Sequence, residues 1–124
     1  MATVLIVDDD AANRLLVESV LGSSGHTVLS ARDDVAGLEL ARERLPELVI
    51  VDLGMPVMDG AAFVRALRED PATARVRVAL YTATVVSGAI ADFLELYAIA
   101  SVIPKPCEPP EMLRIVERAL QQDL

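Results

Sequence analysis

The chain of 124 residues has one cysteine, one histidine, no tryptophan and an aromatic content of 3%. With Cys107 alone, an internal disulfide and a zinc site built from several thiolates are both excluded. So few aromatics leave no stacking surface of the kind single-stranded nucleic acids use. Basic residues are scarce too: 11 Lys and Arg stand against 19 Asp and Glu, a formal charge of −8. That balance opposes a phosphate backbone as ligand, so no nucleic-acid partner is expected, and cations or basic protein patches suit it better. No apolar run reaches the roughly 20 residues of a membrane helix. The start, Met1-Ala2-Thr3-Val4-Leu5-Ile6-Val7-Asp8, has no basic segment and no long apolar core of a signal peptide. No membrane contact and a reducing, cytoplasmic location are the expectations.

What is present is a core. Hydrophobic residues make up 53% of the chain and charged ones 24%, which suits one folded domain over residues 1–124 with no output domain. Short aliphatic runs alternate with segments of helical spacing. Thr3 to Val7 reads as a strand ending in Asp8-Asp9-Asp10, and Ala11 to Leu21 as a helix capped by Asp10 with Leu16, Val17, Val20 and Leu21 inward. Gly22-Ser23-Ser24-Gly25 closes it. His26 to Ala31 is the second strand, and Asp33 or Asp34 caps a helix reaching about Arg44. Leu48 to Val51 is apolar on both faces, as in a parallel sheet covered by helices on each side. Gly54 and Pro56 stop it, Asp59-Gly60 opens a helix carrying Phe63, Val64 and Leu67, and Asp70-Pro71 ends that helix. Arg77 to Tyr81 is a fourth strand, about Ser87 to Tyr97 a fourth helix, and Ser101 to Ile103 a fifth strand. A last helix starts at Pro109 or Pro110, with Met112, Leu113, Val116, Ala119 and Leu120 inward. Five β-α units with right-handed crossovers make an α/β fold, a five-stranded parallel sheet flanked by five helices.

In such a sheet the carboxyl ends of the strands share one edge, where open α/β folds bind ligands. Asp8 and Asp9 follow the first strand, Asp52 the third, Thr82 the fourth and Lys105 the fifth. Three neighbouring carboxylates repel one another, and a hard cation with oxygen-only ligands, Mg²⁺, relieves them. A hydroxyl and a lysine beside that cation suit a phosphoryl group. The set points to Mg²⁺-dependent phosphoryl chemistry with Asp52 as nucleophile. His26 reads as an ordinary strand-edge residue and Cys107 as a small residue in a turn.

The motifs Val4-Leu5-Ile6-Val7-Asp8-Asp9, Val51-Asp52-Leu53-Gly54-Met55-Pro56, Met58-Asp59-Gly60, Tyr81-Thr82-Ala83 and Lys105-Pro106 resemble those of response-regulator receiver domains of two-component systems. The likeness is to the single-domain, chemotaxis-response-regulator type and runs from Val4 to about Leu120. It implies a flavodoxin-like, doubly wound sheet of order 2-1-3-4-5. It implies a switch that accepts a phosphoryl group on Asp52 from a histidine kinase or histidine phosphotransfer protein and catalyses its own phosphorylation and dephosphorylation. Asp9, Asp52 and the Gly54 carbonyl would hold Mg²⁺, with Asp8 acting largely through water. Thr82 and Lys105 would meet the phosphoryl group, and Lys105-Pro106 would be cis.

The chain departs from the family at three places. Val102 stands where receivers carry an aromatic, Ala98 where Gly is common, and Pro104 directly precedes Lys105. Gly54 and Thr84, at positions that tune hydrolysis in relatives, offer no general base, so a long-lived phosphoryl group is expected. The fourth helix is apolar on more than one face, through Val85, Val86, Ala89, Ile90, Ala91, Phe93, Leu94, Leu96 and Tyr97. It suggests an interaction surface of the fourth helix, fifth strand and fifth helix for a downstream protein target or a homodimer. Leu15 is a candidate kinase contact. Two rival readings are a receiver-like interaction module that no longer switches and a Mg²⁺-dependent aspartyl-phosphate phosphohydrolase. The complete acid, Thr and Lys set opposes the first. Against the second, no Asp-x-Asp-x-Thr pattern follows the first strand.

Overall fold

Strands and helices alternate along the chain in the computed structural model, which describes residues 1–52, 60–83, 88–99 and 101–121. The elements are β1 (Thr3–Val7), α1 (Ala11–Gly22), β2 (Thr27–Ala31), α2 (Asp34–Arg44), β3 (Leu48–Asp52), α3 (Gly60–Glu69), β4 (Arg77–Thr82), α4 (Gly88–Leu96), β5 (Ser101–Pro104) and α5 (Pro109–Leu120). The strands pair in parallel in the order β2-β1-β3-β4-β5. That is the doubly wound order expected, with its switch point between β1 and β3.

The period of two along each strand sorts the core into two layers. Leu5, Val7, Val49, Val51, Val78 and Leu80 pack with α2, α3 and α4 through Ala41, Phe63, Val64, Leu67, Phe93 and Leu94. Val4, Ile6, Leu48, Ile50, Ala79, Tyr81 and Ile103 pack with α1 and α5 through Val17, Leu21, Met112 and Val116. Both faces of the sheet are therefore dry, which is why β1 and β3 read as unbroken aliphatic runs. Truncating a fully buried centre such as Ile50 to Ala costs about 2–5 kcal/mol. Gly37 lets α2 approach the sheet: a Cβ there would stand 2.9 Å from Phe63 Cε1 and 3.1 Å from Val7 Cγ2.

Local chemistry sets the helix ends. The Asp10 carboxylate accepts the Ala12 N–H at 2.8 Å and caps α1, while Asp33 rather than Asp34 caps α2 through the Ala36 N–H. α1 and α4 close with the same motif. At α1, Gly25 is left-handed (φ 91), its N–H reaches Gly22 O, and His26 N–H reaches Leu21 O. At α4, Ala98 is left-handed (φ 56), its N–H reaches Glu95 O, and Ile99 N–H reaches Leu94 O. The Tyr97 carbonyl, just after α4, accepts Arg68 Nε at 2.8 Å, and Arg68 Nη1 also reaches Val76 O at 2.5 Å. Arg68 thus clasps α3, the end of α4 and the approach to β4.

Several sequence expectations shift. β3 and β4 extend one residue further, through Asp52 and Thr82, and β5 includes Pro104, because the register continues through Asp52↔Tyr81 and Thr82↔Pro104. β2 starts at Thr27, since the His26 backbone is used to close α1. His26 is no simple edge residue: it is buried, its Nδ1 accepts the Ala2 N–H at 3.1 Å, and Nε2 lies 2.8 Å from Glu117 Oε1 on α5. Leu16 is exposed, because Val17 and Leu21 already fill the inward stripe of α1. Phe93 and Leu94 of α4 and Tyr97 just after it turn to the core, while Leu96 stays 74% exposed. The expectations resting on Gly54, Asp59, Thr84, Val85 and Val86 lie outside the described residues.

Candidate functional site

The same period of two that builds the α1/α5 core aims the acids. Asp8 follows Val4 and Ile6, and Asp52 follows Leu48 and Ile50, so both carboxylates rise from one face at the switch point between β1 and β3. The Asp8 N–H still bonds to Ala31 O, 3.0 Å away, so its backbone is held by the sheet. Lys105 comes two residues after Ile103, and its N–H donates to Thr82 O at 3.1 Å. Thr82 ends β4 at 4% exposure. The structure therefore brings Asp8, Asp9, Asp52, Thr82 and Lys105 to one edge; Gly54 lies outside the described residues.

Asp8 is fully buried and Asp52 8% exposed, so their charges need partners. Lys105 Nζ sits 2.9 Å from Asp52 Oδ2 and 3.8 Å from Asp8 Oδ2. Asp8 Oδ1 accepts the Asp10 N–H at 2.9 Å, and Asp8 Oδ2 accepts Asn13 Nδ2 at 3.1 Å. Arg14 Nη1 donates to the Asp8 carbonyl at 2.7 Å. These donors do not fully compensate. Burial pushes the Asp8 carboxyl above the usual range against the opposing Asp10 N–H; the Asp52 charge raises it further, and Lys105 and Asn13 pull it back. Asn13 and Arg14 were not read from the sequence. The signal was there: with Asp10 capping α1, a residue five positions after Asp8 lies in the first turn, beside the end of β1.

An aromatic ring also meets the lysine. Lys105 Nζ lies 4.6 Å from the centroid of the buried Tyr81 ring. Burial pushes the Tyr81 phenol upward, and the Asp8 charge adds to it, so the ring stays neutral at physiological pH.

Carboxylate oxygens of Asp8, Asp9 and Asp52 all lie within 4.8 Å of one another. These three carboxylates would hold a small divalent cation through oxygen donors alone, the donor type Mg²⁺ takes. Burial, and after it the Asp52 charge, makes an ionised Asp8 costly, and a divalent cation would offset that cost. Oxygen-only donors with a lysine alongside fit Mg²⁺ and a phosphoryl group together.

The profile of the response regulator receiver domain family matches residues 4–117. The chain belongs to the response regulator receiver domains. This receiver is 39% identical over 82 residues to the response regulator PleD of Caulobacter vibrioides, covering 66% of the chain and 18% of PleD. It is 34% identical over 124 residues to the DNA-binding dual master transcriptional regulator RpaA of Synechocystis, covering 98% of the chain and 50% of RpaA. The chain thus spans half or less of these relatives' lengths. Among solved structures, chemotaxis protein CheY4 of Vibrio cholerae superposes with a TM-score of 0.89 at 28% identity, over 96% of this chain and 98% of that one. As a receiver domain the chain is of the phosphorylatable two-component type. Among the described residues no helix is long and apolar enough to cross a membrane.

Proposed function

We propose that Asp52 is the phosphoacceptor of this receiver and takes a phosphoryl group from a histidine kinase or histidine phosphotransfer protein in the cytoplasm. The observation that carries this reading is the grouping of Asp8, Asp9 and Asp52 with Lys105 Nζ 2.9 Å from Asp52. An Asp52 carboxylate oxygen attacks phosphorus while the bond from phosphorus to the donor imidazole nitrogen breaks, its electron pair staying on nitrogen. Lys105, already on Asp52, shifts to the phosphoryl oxygens, and Thr82 donates its hydroxyl to another. Asp8, Asp9, Asp52 and the Gly54 carbonyl would hold Mg²⁺, which supplies charge neutralisation for carboxylates and phosphoryl oxygens. Because these groups belong to the receiver, it promotes its own phosphorylation and dephosphorylation, and a small phosphodonor can replace the kinase.

The test is an intact mass after incubation with Mg²⁺ and acetyl phosphate. A single phosphoryl adduct is expected, absent in Asp52→Asn and absent when EDTA removes Mg²⁺. No adduct with acetyl phosphate or phosphoramidate, or an adduct that persists in Asp52→Asn, overturns the assignment.

The proposed outlet is the α4–β5–α5 face, toward a downstream protein or a second copy of the chain. Leu96 is its most exposed large apolar residue among those described. Light scattering over a concentration series, with and without beryllofluoride, reads the homodimer directly. A mass that never rises removes that version. Leu15, 65% exposed on α1, is the matching candidate for the donor side.

A further inference from the structure

We propose that Tyr81 is a positioning residue for Lys105, holding the ammonium over its ring face so that it stays in reach of Asp52 before and after phosphorylation. The proposal rests on the phosphoacceptor reading of Asp52. Lys105 Nζ has two acid contacts, at 2.9 Å to Asp52 Oδ2 and 3.8 Å to Asp8 Oδ2, and one aromatic contact, at 4.6 Å to the Tyr81 centroid. A lysine side chain is a flexible four-carbon stem whose ammonium is normally well hydrated. It holds one place only if several partners agree on it.

Both acid contacts change with the state of the site. A phosphoryl group on Asp52 converts its carboxylate to an acyl phosphate and moves the negative charge outward, and a cation shared by the acids competes with Lys105 for Asp8. Neither event alters the ring itself, so its face remains available to the ammonium. The negative face of an aromatic attracts a cation within roughly 6 Å of the centroid, and more strongly where water is excluded. Tyr81 is 2% exposed and locked in the sheet: its Cα is paired with Asp52 on β3 and with Ile103 on β5, two residues before Lys105. The ring therefore cannot follow the lysine, and it sets a fixed perch beside the phosphoacceptor.

The rival role for Tyr81 is core filling, since it also belongs to the layer with Ile50, Ile103 and Met112. Three substitutions separate the two roles. Tyr81→Phe keeps the ring, whereas Tyr81→Leu and the more adaptable Tyr81→Met remove it. In NMR spectra of the unphosphorylated protein, the ring should shift the Lys105 ε-methylene resonance upfield. The shift should survive Tyr81→Phe and vanish in Tyr81→Leu and Tyr81→Met. With acetyl phosphate and Mg²⁺, the phosphorylation rate should fall about three- to tenfold in the two ringless variants and recover in Tyr81→Phe. In a Lys105→Ala background, removing the ring should cost nothing further.

An unshifted Lys105 methylene in the wild type overturns the proposal. So does a Tyr81→Leu or Tyr81→Met rate loss that multiplies unchanged onto Lys105→Ala, which marks a structural role. If Tyr81→Leu does not fold, Tyr81→Met carries the comparison. If the wild type accepts no phosphoryl group, the phosphoacceptor reading fails, while the NMR comparison still decides where the ring holds Lys105.

Discussion

Replacing Asp8 by Asn should stabilise the metal-free protein and reverse that ranking once Mg²⁺ is added. Asp8 is fully buried, and carboxylate oxygens of Asp9 and Asp52 lie within 4.8 Å. At an effective dielectric constant of about 20, each such neighbour repels an ionised Asp8 by about 3.5 kcal/mol. Lys105 at 3.8 Å returns about 4.4 kcal/mol. The balance, about 2–3 kcal/mol against the charge, is reduced in the amide by weakening the Asn13 hydrogen bond, about 1 kcal/mol. Asp8→Asn should therefore raise unfolding stability by about 1–2 kcal/mol at pH 7, or Tm by roughly 3–8 °C. The pH dependence carries the sign. The Asp8 carboxyl is held above its ordinary value of 3.8, mainly by burial, so the folded chain binds this proton more readily than the unfolded one. The stability this confers is complete below that value and is lost as pH rises through the folded pKa. Wild type and Asp8→Asn should converge in acid and separate toward neutrality. Mg²⁺ at about 100 times its Kd should add about 2.7 kcal/mol to the wild type and little to the variant. Urea unfolding across pH, with and without Mg²⁺, measures all of this. If Asp8→Asn is less stable without Mg²⁺ at pH 7, or Mg²⁺ stabilises both proteins equally, the picture of strained acids awaiting a cation is wrong.

Ala98→Gly should stabilise the fold by about 1 kcal/mol in urea unfolding, because Ala98 holds a left-handed φ of 56 at the end of α4 where only glycine avoids the Cβ penalty. Arg68→Met should cost about 2–4 kcal/mol by leaving the Tyr97 and Val76 carbonyls without their donor. Arg68→Lys should recover only part of that, since an ammonium lacks the guanidinium fork. Hydrogen exchange should show the loss first at the C-terminal turn of α4. Gly37→Ala should destabilise by about 1 kcal/mol despite its better helix propensity, because the new methyl meets Phe63 and Val7; a gain would mean that α2 has room to move off the sheet.

The order of elements and the carboxyl-edge cluster were legible because both depend on short-range patterns. Aliphatic runs broken by Asp, Gly and Pro mark strand ends, and a parallel sheet sends all those ends to one edge. Asp8, Asp9, Asp52, Thr82 and Lys105 could thus be grouped without knowing any distance. Spacing likewise predicted the Asp10 cap and the inward Phe63, Val64 and Leu67. Only the tertiary structure decided which groups touch. That Asp8 is wholly dry, that Asn13 and Lys105 share its Oδ2, and that Lys105 rests over Tyr81 depend on packing between elements up to a hundred residues apart. His26 shows the difference most clearly. Its partners, Ala2 and Glu117, lie at opposite ends of the chain, and no local pattern could distinguish a histidine that joins the residue before β1 to α5 from one at a strand edge. Periodicity records which face of an element is dry. The partner of a buried charge is set by how the faces meet.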